Sequence, residues 1–184
     1  MPIRFCVRRS EFRYNRHMDR DELRTIQAPL KERYRADADA AHVTLRAEGR
    51  LDEDNIACKV ATGRALAEAG LHPATGGTGM LACSGDMLLE ALVACAGVTM
   101  CSVATALGMH VEGTVRAEGD LDFRGTLGVA KDDGVPVGFR QIRLAFEIEH
   151  DGDAEQAGKL IELTERYCVV FQTISGGAPV AITA

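Results

Sequence analysis

The residues of this chain best suited to chemistry are its six cysteines: Cys6, Cys58, Cys83, Cys95, Cys101 and Cys168. They include no Cys-x-x-Cys and no Cys/His pair at ligand spacing, so no metal site is expected. Two stand out by context. Cys95 lies in Ala-Leu-Val-Ala-Cys-Ala-Gly (91–97) and Cys168 in Glu-Arg-Tyr-Cys-Val-Val (165–170). Both segments read as helices rich in core residues. Two such thiols, far apart in sequence, are either inert packing, because free cysteine behaves as a small hydrophobe, or the two halves of a dithiol redox site. Cys83 falls just before a helix start, where the dipole can acidify a thiol. Cys6, Cys58 and Cys101 read as packing. Cys95 and Cys101 sit roughly 240° apart round a helix and cannot face one site.

The elements that must position these thiols follow from periodicity and punctuation. Asp19-Arg20-Asp21-Glu22 has capping-box form and opens a helix through Leu23, Ile26, Leu30 and Tyr34. Pro29 is expected to kink or split it. His42–Gly49 alternates as a strand, Arg50–Asn55 is turn chemistry, and Ile56–Val60 reads as the return strand of a hairpin. Leu71–Gly79 is a loop. Ser84 or Asp86 then opens a long helix to about Leu107, stopped by Gly108. It is apolar almost all round, which predicts burial on every side. Val111–Gly119 reads as a strand that Leu121–Val129 extends. Asp132-Asp133-Gly134 is a turn, and Phe139–His150 alternates clearly. A second helix from Asp153 carries Leu160, Thr164, Cys168 and Phe171 on one stripe, and Gly176-Gly177 ends it. Val180–Thr183 is expected to form a short last strand. The order predicts an α+β fold with a largely antiparallel sheet and two core helices. One sheet barely covers a helix buried on all sides, so an intimate homodimer is predicted.

Length and composition suit one domain with a real core: 184 residues, 46% of them apolar. Residues 1–41 read as an N-terminal extension, a basic tail plus helix, and 42–184 as the domain proper. The tail before Asp19 carries Arg4, Arg8, Arg9, Arg13 and Arg16 and is expected to be poorly ordered. It has no apolar stretch of the kind a secretory signal needs. The net charge of −6 argues against a nucleic-acid partner. No apolar run reaches the roughly 18 residues of a membrane span, so no membrane partner is expected. The reading is cytoplasmic, with free thiols. The five histidines are scattered and read as surface or loop residues. Gly76-Gly77-x-Gly79 is not followed by the Gly-Lys-Ser/Thr of a phosphate loop.

Ser84-Gly-Asp-Met-Leu-Leu-Glu-Ala-Leu-Val-Ala-Cys95 resembles the "Ser/Asn-Pro-x-Glu-Leu-Leu-x-Ala-Leu-x-x-Cys" helix of the OsmC/Ohr family. Gly76-Gly77 resembles that family's Gly-rich lead-in. Tyr167-Cys168-Val-Val resembles its second motif, usually Cys-Pro-Val. The resemblance covers about residues 42–184. It implies an OsmC-like fold in an intertwined homodimer, and a thiol-dependent peroxidase that reduces organic hydroperoxides. It assigns Cys95 as the peroxidatic and Cys168 as the resolving cysteine. Asp86 best matches the acid near the helix start, although a shift of one residue puts Gly85 there. The arginine that steadies the thiolate falls to Arg50 or Arg64. The resemblance implies no bound cofactor. It implies an external dithiol reductant protein, with dihydrolipoyl groups as the preferred dithiol.

The chain departs from the pattern in three places. Val169 stands where proline is usual, Asp86 is a methylene shorter than glutamate, and the spacer 61–82 is longer than in compact members. These departures leave a second reading open: a catalytically weak OsmC-like redox-sensing or small-molecule binding protein. A third is a structural dimer with inert core thiols.

Overall fold

The computed structural model describes residues 19–36, 48–52, 57–61, 66–128 and 134–183. The expected basic tail, the start of the first strand (42–47) and the Asp132-Asp133 turn lie outside the described residues.

Helix α1 spans Arg20–Ala36. Its capping box is formed: the Glu22 amide donates to Asp19 Oδ1 at 2.8 Å, and the Asp19 amide to Glu22 Oε2 at 3.4 Å. The helix continues through Pro29 rather than splitting there. Three antiparallel strands follow, β1 Glu48–Asp52, β2 Ala57–Ala61 and β3 Leu66–Gly70, in the order β1-β2-β3. The hairpin β1–β2 is therefore present, and its first strand runs on to Asp52, through residues read as turn. Strand β3 falls in a stretch read as spacer. Its small residues, Leu-Ala-Glu-Ala-Gly, carry too weak an alternation to announce a strand.

Helix α2, Ser84–Leu107, crosses the domain and stops at Gly108. Gly108 has φ +73°, a left-handed conformation that glycine adopts without steric cost, and its amide closes the helix on Ala104 and Thr105 carbonyls. β4 Val111–Asp120 and β5 Gln141–His150 form an antiparallel ribbon in straight register, with Val115 opposite Phe146 and Gly119 opposite Ile142. The stretch from Leu121, expected to extend the sheet, instead turns into a short helix α3, Phe123–Thr126. Asp122 caps it, accepting from the Arg124 amide and gripping the Arg124 guanidinium. α4 Ala154–Tyr167 starts on a complete capping box of Asp153 and Gln156. α5 Val169–Gly176 ends at Gly177. Residues 178–183 are in no helix or strand, so the expected last strand is not formed within this chain.

The core lies where α2 meets α4, α5 and the β4–β5 ribbon. One cluster joins Met100, Ala104, Met109 and Leu160; the other joins Leu92, Ala96 and Cys168. On α2 the buried residues are Leu92, Ala96, Met100 and Ala104, a single stripe at a spacing of four. Its other side is uncovered: Ala91, Ala94, Val98 and Cys101 are exposed, Val98 at 72%. The helix is thus not buried all round within one chain. By length and composition it is also long and apolar enough to cross a membrane, contrary to the reading from apolar runs. Small and hydroxyl residues such as Gly97, Thr99 and Ser102 interrupt those runs without making the helix polar. Its packed stripe against α4 and α5 is that of a core helix.

Candidate active site

α2 carries Cys95 beside the buried stripe, next to Ala96. The second thiol arrives by a break in helical structure. Cys168 closes α4 and opens α5, with φ −73° and ψ 105°, an extended conformation between two helices. Its amide makes the last bond of α4, to the Thr164 carbonyl at 3.0 Å. Its carbonyl takes the first bond of α5, from the Gln172 amide at 2.9 Å. The side chains reinforce this junction: Gln172 Nε2 donates back to the Glu165 carbonyl, and Thr173 Oγ1 to that of Val169. The single long helix expected from Asp153 is therefore two, and the break falls at the thiol.

The break turns Cys168 inward. Only 1% of it is exposed, packed with Leu92 and Ala96, while Cys95 is half-buried against the same cluster. The two thiols share this cluster and influence each other's ionisation. Both are free, as are Cys83 and Cys101.

The break also frees hydrogen-bond donors. The first amides of a helix have no helical acceptor, and those of α5 directly follow Cys168. Burial pushes the Cys95 thiol up. Against this act the Val170 amide, the Cys168 thiol, the Val169 amide and the Thr99 hydroxyl, and the outcome lies below the ordinary thiol value. Cys168 goes the other way. Burial raises it, the Phe171 and Val170 amides only partly offset that, and the Cys95 sulfur raises it further by hydrogen bonding and by charge. The two thiols are thus shifted in opposite directions, Cys95 toward the thiolate and Cys168 toward the thiol. Thr99 also donates to the Cys95 carbonyl at 2.7 Å, the usual bond of a helical threonine to the preceding turn.

A cavity of about 530 Å³ adjoins this cluster. Leu88, Leu92, Phe139, Ile142, Leu144 and Phe171 supply its apolar wall. Phe139 can lie there because Gly85 and Gly119 leave room for its ring.

The other expected residues are placed differently. Asp86 is exposed in the first turn of α2 and lines a separate groove with Leu89, Glu90, Val93 and Ala117. It is nine residues from Cys95, about two and a half turns, so it projects from the opposite side of the helix. Arg50 lies in β1 opposite Lys59, and its side chain is outside the described residues. Arg64 is outside them altogether. Cys83 precedes α2 without a side-chain capping bond. His72 caps a 3-10 turn, Pro73–Thr75, and stacks on Phe123. Among the described residues no three His, Cys, Asp or Glu cluster as a metal site. Reading the sequence missed the amides of Val169 and Val170 and the hydroxyl of Thr99. Only Thr99 left a signal, its position one helical turn after Cys95.

The architecture has relatives. An OsmC-like protein of Mycoplasma pneumoniae superposes with TM-score 0.60 at 20% identity, over 73% of this chain and 89% of that one. An OsmC-like protein of unknown function from Vibrio cholerae superposes with TM-score 0.57 at 15% identity, over 72% and 94%. The organic hydroperoxide resistance protein of Bacillus subtilis has a TM-score of 0.46 at 18% identity, over 73% and 93%. No curated protein is significantly similar in sequence. The family model described as OsmC-like protein matches residues 77–183, more than half the chain, including α2 with Cys95 and the α4–α5 break with Cys168. On that match, and with the fold it shares, the chain belongs to the OsmC-like protein family.

Proposed function

We propose that this protein is a thiol peroxidase that reduces organic hydroperoxides through a dithiol–disulfide cycle of Cys95 and Cys168. The observation that carries this reading is a cluster holding two thiols of opposite acidity, one favoured as thiolate and one as thiol. The Cys95 thiolate attacks the outer oxygen of the hydroperoxide. The O–O bond breaks, the alkoxide leaves and takes a proton as the alcohol, and Cys95 becomes a sulfenic acid. Cys168 then attacks the sulfenic sulfur. Water leaves and a disulfide forms before further oxidation. An external dithiol, for which a dihydrolipoyl group is our candidate, reopens it by exchange and is itself oxidised to a disulfide. The apolar cavity, which shares Leu92 and Phe171 with the thiol cluster, suits a hydroperoxide with a hydrocarbon substituent better than hydrogen peroxide.

The reading includes a homodimer. The exposed stripe Ala91, Ala94, Val98 and Cys101 on α2 is apolar, and a second copy is the cover we propose for it. The free state of the described cysteines fits a reducing compartment such as the cytoplasm.

The test is turnover of an alkyl hydroperoxide with dihydrolipoamide. Wild type should consume peroxide, and Cys95→Ser should abolish consumption. Wild-type protein that consumes none under these conditions sinks the reading in favour of a binding or sensing role.

A further inference from the structure

Two glycines hold an aromatic ring at the end of the cavity remote from the thiols. Leu92, Ile142, Leu144, Phe171 and Ile174 belong both to the cavity and to the cluster around Cys168. Leu88 and Phe139 line the cavity outside that cluster. We propose that Phe139 is a specificity-determining residue of this site: its ring is the end wall that sets how long an apolar substituent the cavity accepts.

Helix α2 gives the scale. Leu92 is three residues from Cys95, Leu88 is one turn further back, and Gly85 is ten residues from Cys95, about 15 Å along the axis. The Phe139 ring reaches Gly85, where a methyl group would stand 3.4 Å from Cζ. At its other edge, a methyl group on Gly119 would collide with Cδ1 and Cε1. Gly119 is an inward position of β4, in alternation with Val115 and Ala117. It has no side chain to send toward α2, and the Phe139 ring fills that place. The main chain beside the ring is fixed as well. The Arg140 amide donates to the Asp120 carbonyl at 2.8 Å, and Gln141 pairs with Asp120 at the end of the ribbon. Phe139 is therefore tied at its own backbone and seated between a strand and a helix, as a stop must be. Next to the ring tip are Cys83 Sγ and the Leu121 side chain, 3.6 and 3.7 Å from the same methyl position at Gly85. Taking the ring away opens the cavity toward them.

This role rests on the peroxidase reading for its bearing on turnover, but the test needs no peroxide. A straight-chain alcohol has the form of the reduced product and binds without reacting. Calorimetric titration of the full chain with alcohols from butanol to decanol reads the length of the cavity. Each methylene that enters should tighten binding about fourfold, until the chain meets Phe139 and the gain stops. Phe139→Ala should carry the gain on through about two further methylenes, so that decanol binds roughly tenfold tighter than to wild type. If the alanine variant does not fold, Phe139→Leu keeps an apolar residue in the seat and should move the stop by about one methylene. Alcohols that do not bind, a wild-type affinity that climbs to decanol without a stop, or a stop at the same length in the folded variant overturns the inference. The two readings fail separately. A stop that moves, in a protein that consumes no alkyl hydroperoxide, overturns the peroxidase reading and leaves Phe139 as the wall. Turnover with an unmoved stop does the reverse.

Discussion

Cys95 packs into the cluster of Cys168 where α2 passes the break between α4 and α5, and their surroundings make the two thiols unequal. Cys95 lies below the ordinary thiol value and Cys168 above it. In the proposed cycle Cys168 stays a thiol until a sulfenic acid forms on Cys95. Cys168→Ser should still form the sulfenic acid, because Cys95 and its amide donors remain. It should not form the internal disulfide, and excess alkyl hydroperoxide should carry Cys95 on to the sulfinic acid. Intact-protein mass spectrometry distinguishes the outcomes: two hydrogens lost in wild type, two oxygens gained in the variant. Equal resistance of both proteins to over-oxidation would remove Cys168 from the role.

The acidity of Cys95 has a pH signature in both rate and stability. Its rate of alkylation should rise with pH and level off below the midpoint of a free thiol such as glutathione. The linkage runs in the same direction. A thiol whose folded value is depressed contributes stability above its ordinary value and loses it as pH falls through the folded value. Cys168, raised in the fold, contributes below its ordinary value and loses that contribution as pH climbs through the raised one. Compared with Cys95→Ala, wild-type protein should gain stability across the interval from the lowered Cys95 value to the ordinary thiol value. Urea denaturation at several pH values reads the difference. A flat difference across that interval contradicts a depressed Cys95.

Asp86 allows a sharper test of geometry against motif. It is exposed in the first turn of α2, on the side away from Cys95. Asp86→Asn should cost the stability of one acid at a helix N-terminus, about 0.3–1 kcal/mol. It should leave the pH dependence of Cys95 alkylation unchanged. A clear shift would mean that Asp86 reaches a thiol by a route not present within one chain.

The thiols, their helices and their order were legible in the sequence because capping boxes, glycine stops and apolar periodicity are local signals. Asp19, Asp153, Gly108 and Gly177 mark helix ends that the structure confirms. The break at Cys168 was not legible. Leu160, Thr164, Cys168 and Phe171 keep an apolar stripe straight through it, and no glycine or proline punctuates it. The donors it frees are main-chain amides, which have no letter in a sequence. β3 was missed for a different reason. Its residues are small, and a backbone bridge of Ala69 to Ala82 helps hold it where side-chain alternation is too weak to be read. Asp86 was assigned by motif, and helical phase moves it to the far side.

Leu92 links the thiol cluster to the cavity, being 2% exposed and lining both. Leu92→Ala should destabilise the fold by about 2–5 kcal/mol, the usual cost of emptying a packed core site. It should also enlarge the cavity. Activity toward a bulky aryl hydroperoxide should then fall less than activity toward tert-butyl hydroperoxide. Equal losses for the two substrates would separate the cavity from substrate binding.

The exposed stripe of α2 makes the proposed dimer testable through a cysteine with no part in the chemistry. Val98 and Cys101 lie on that stripe, three residues apart on the same face, and both are exposed in the single chain. A second copy covering the stripe would bury both. Wild-type protein should then run as a dimer in light scattering, and its Cys101 should react slowly with a thiol-specific disulfide reagent. Val98→Asp places a charge at the centre of the stripe, where desolvating it without a partner is costly. Within one chain the same aspartate is solvated, so the fold should survive the change. The variant should be monomeric, and Cys101 should become fast. A monomeric wild type with an already fast Cys101 would refute the dimer without touching the assignment of Cys95 and Cys168, whose cluster is formed within one chain.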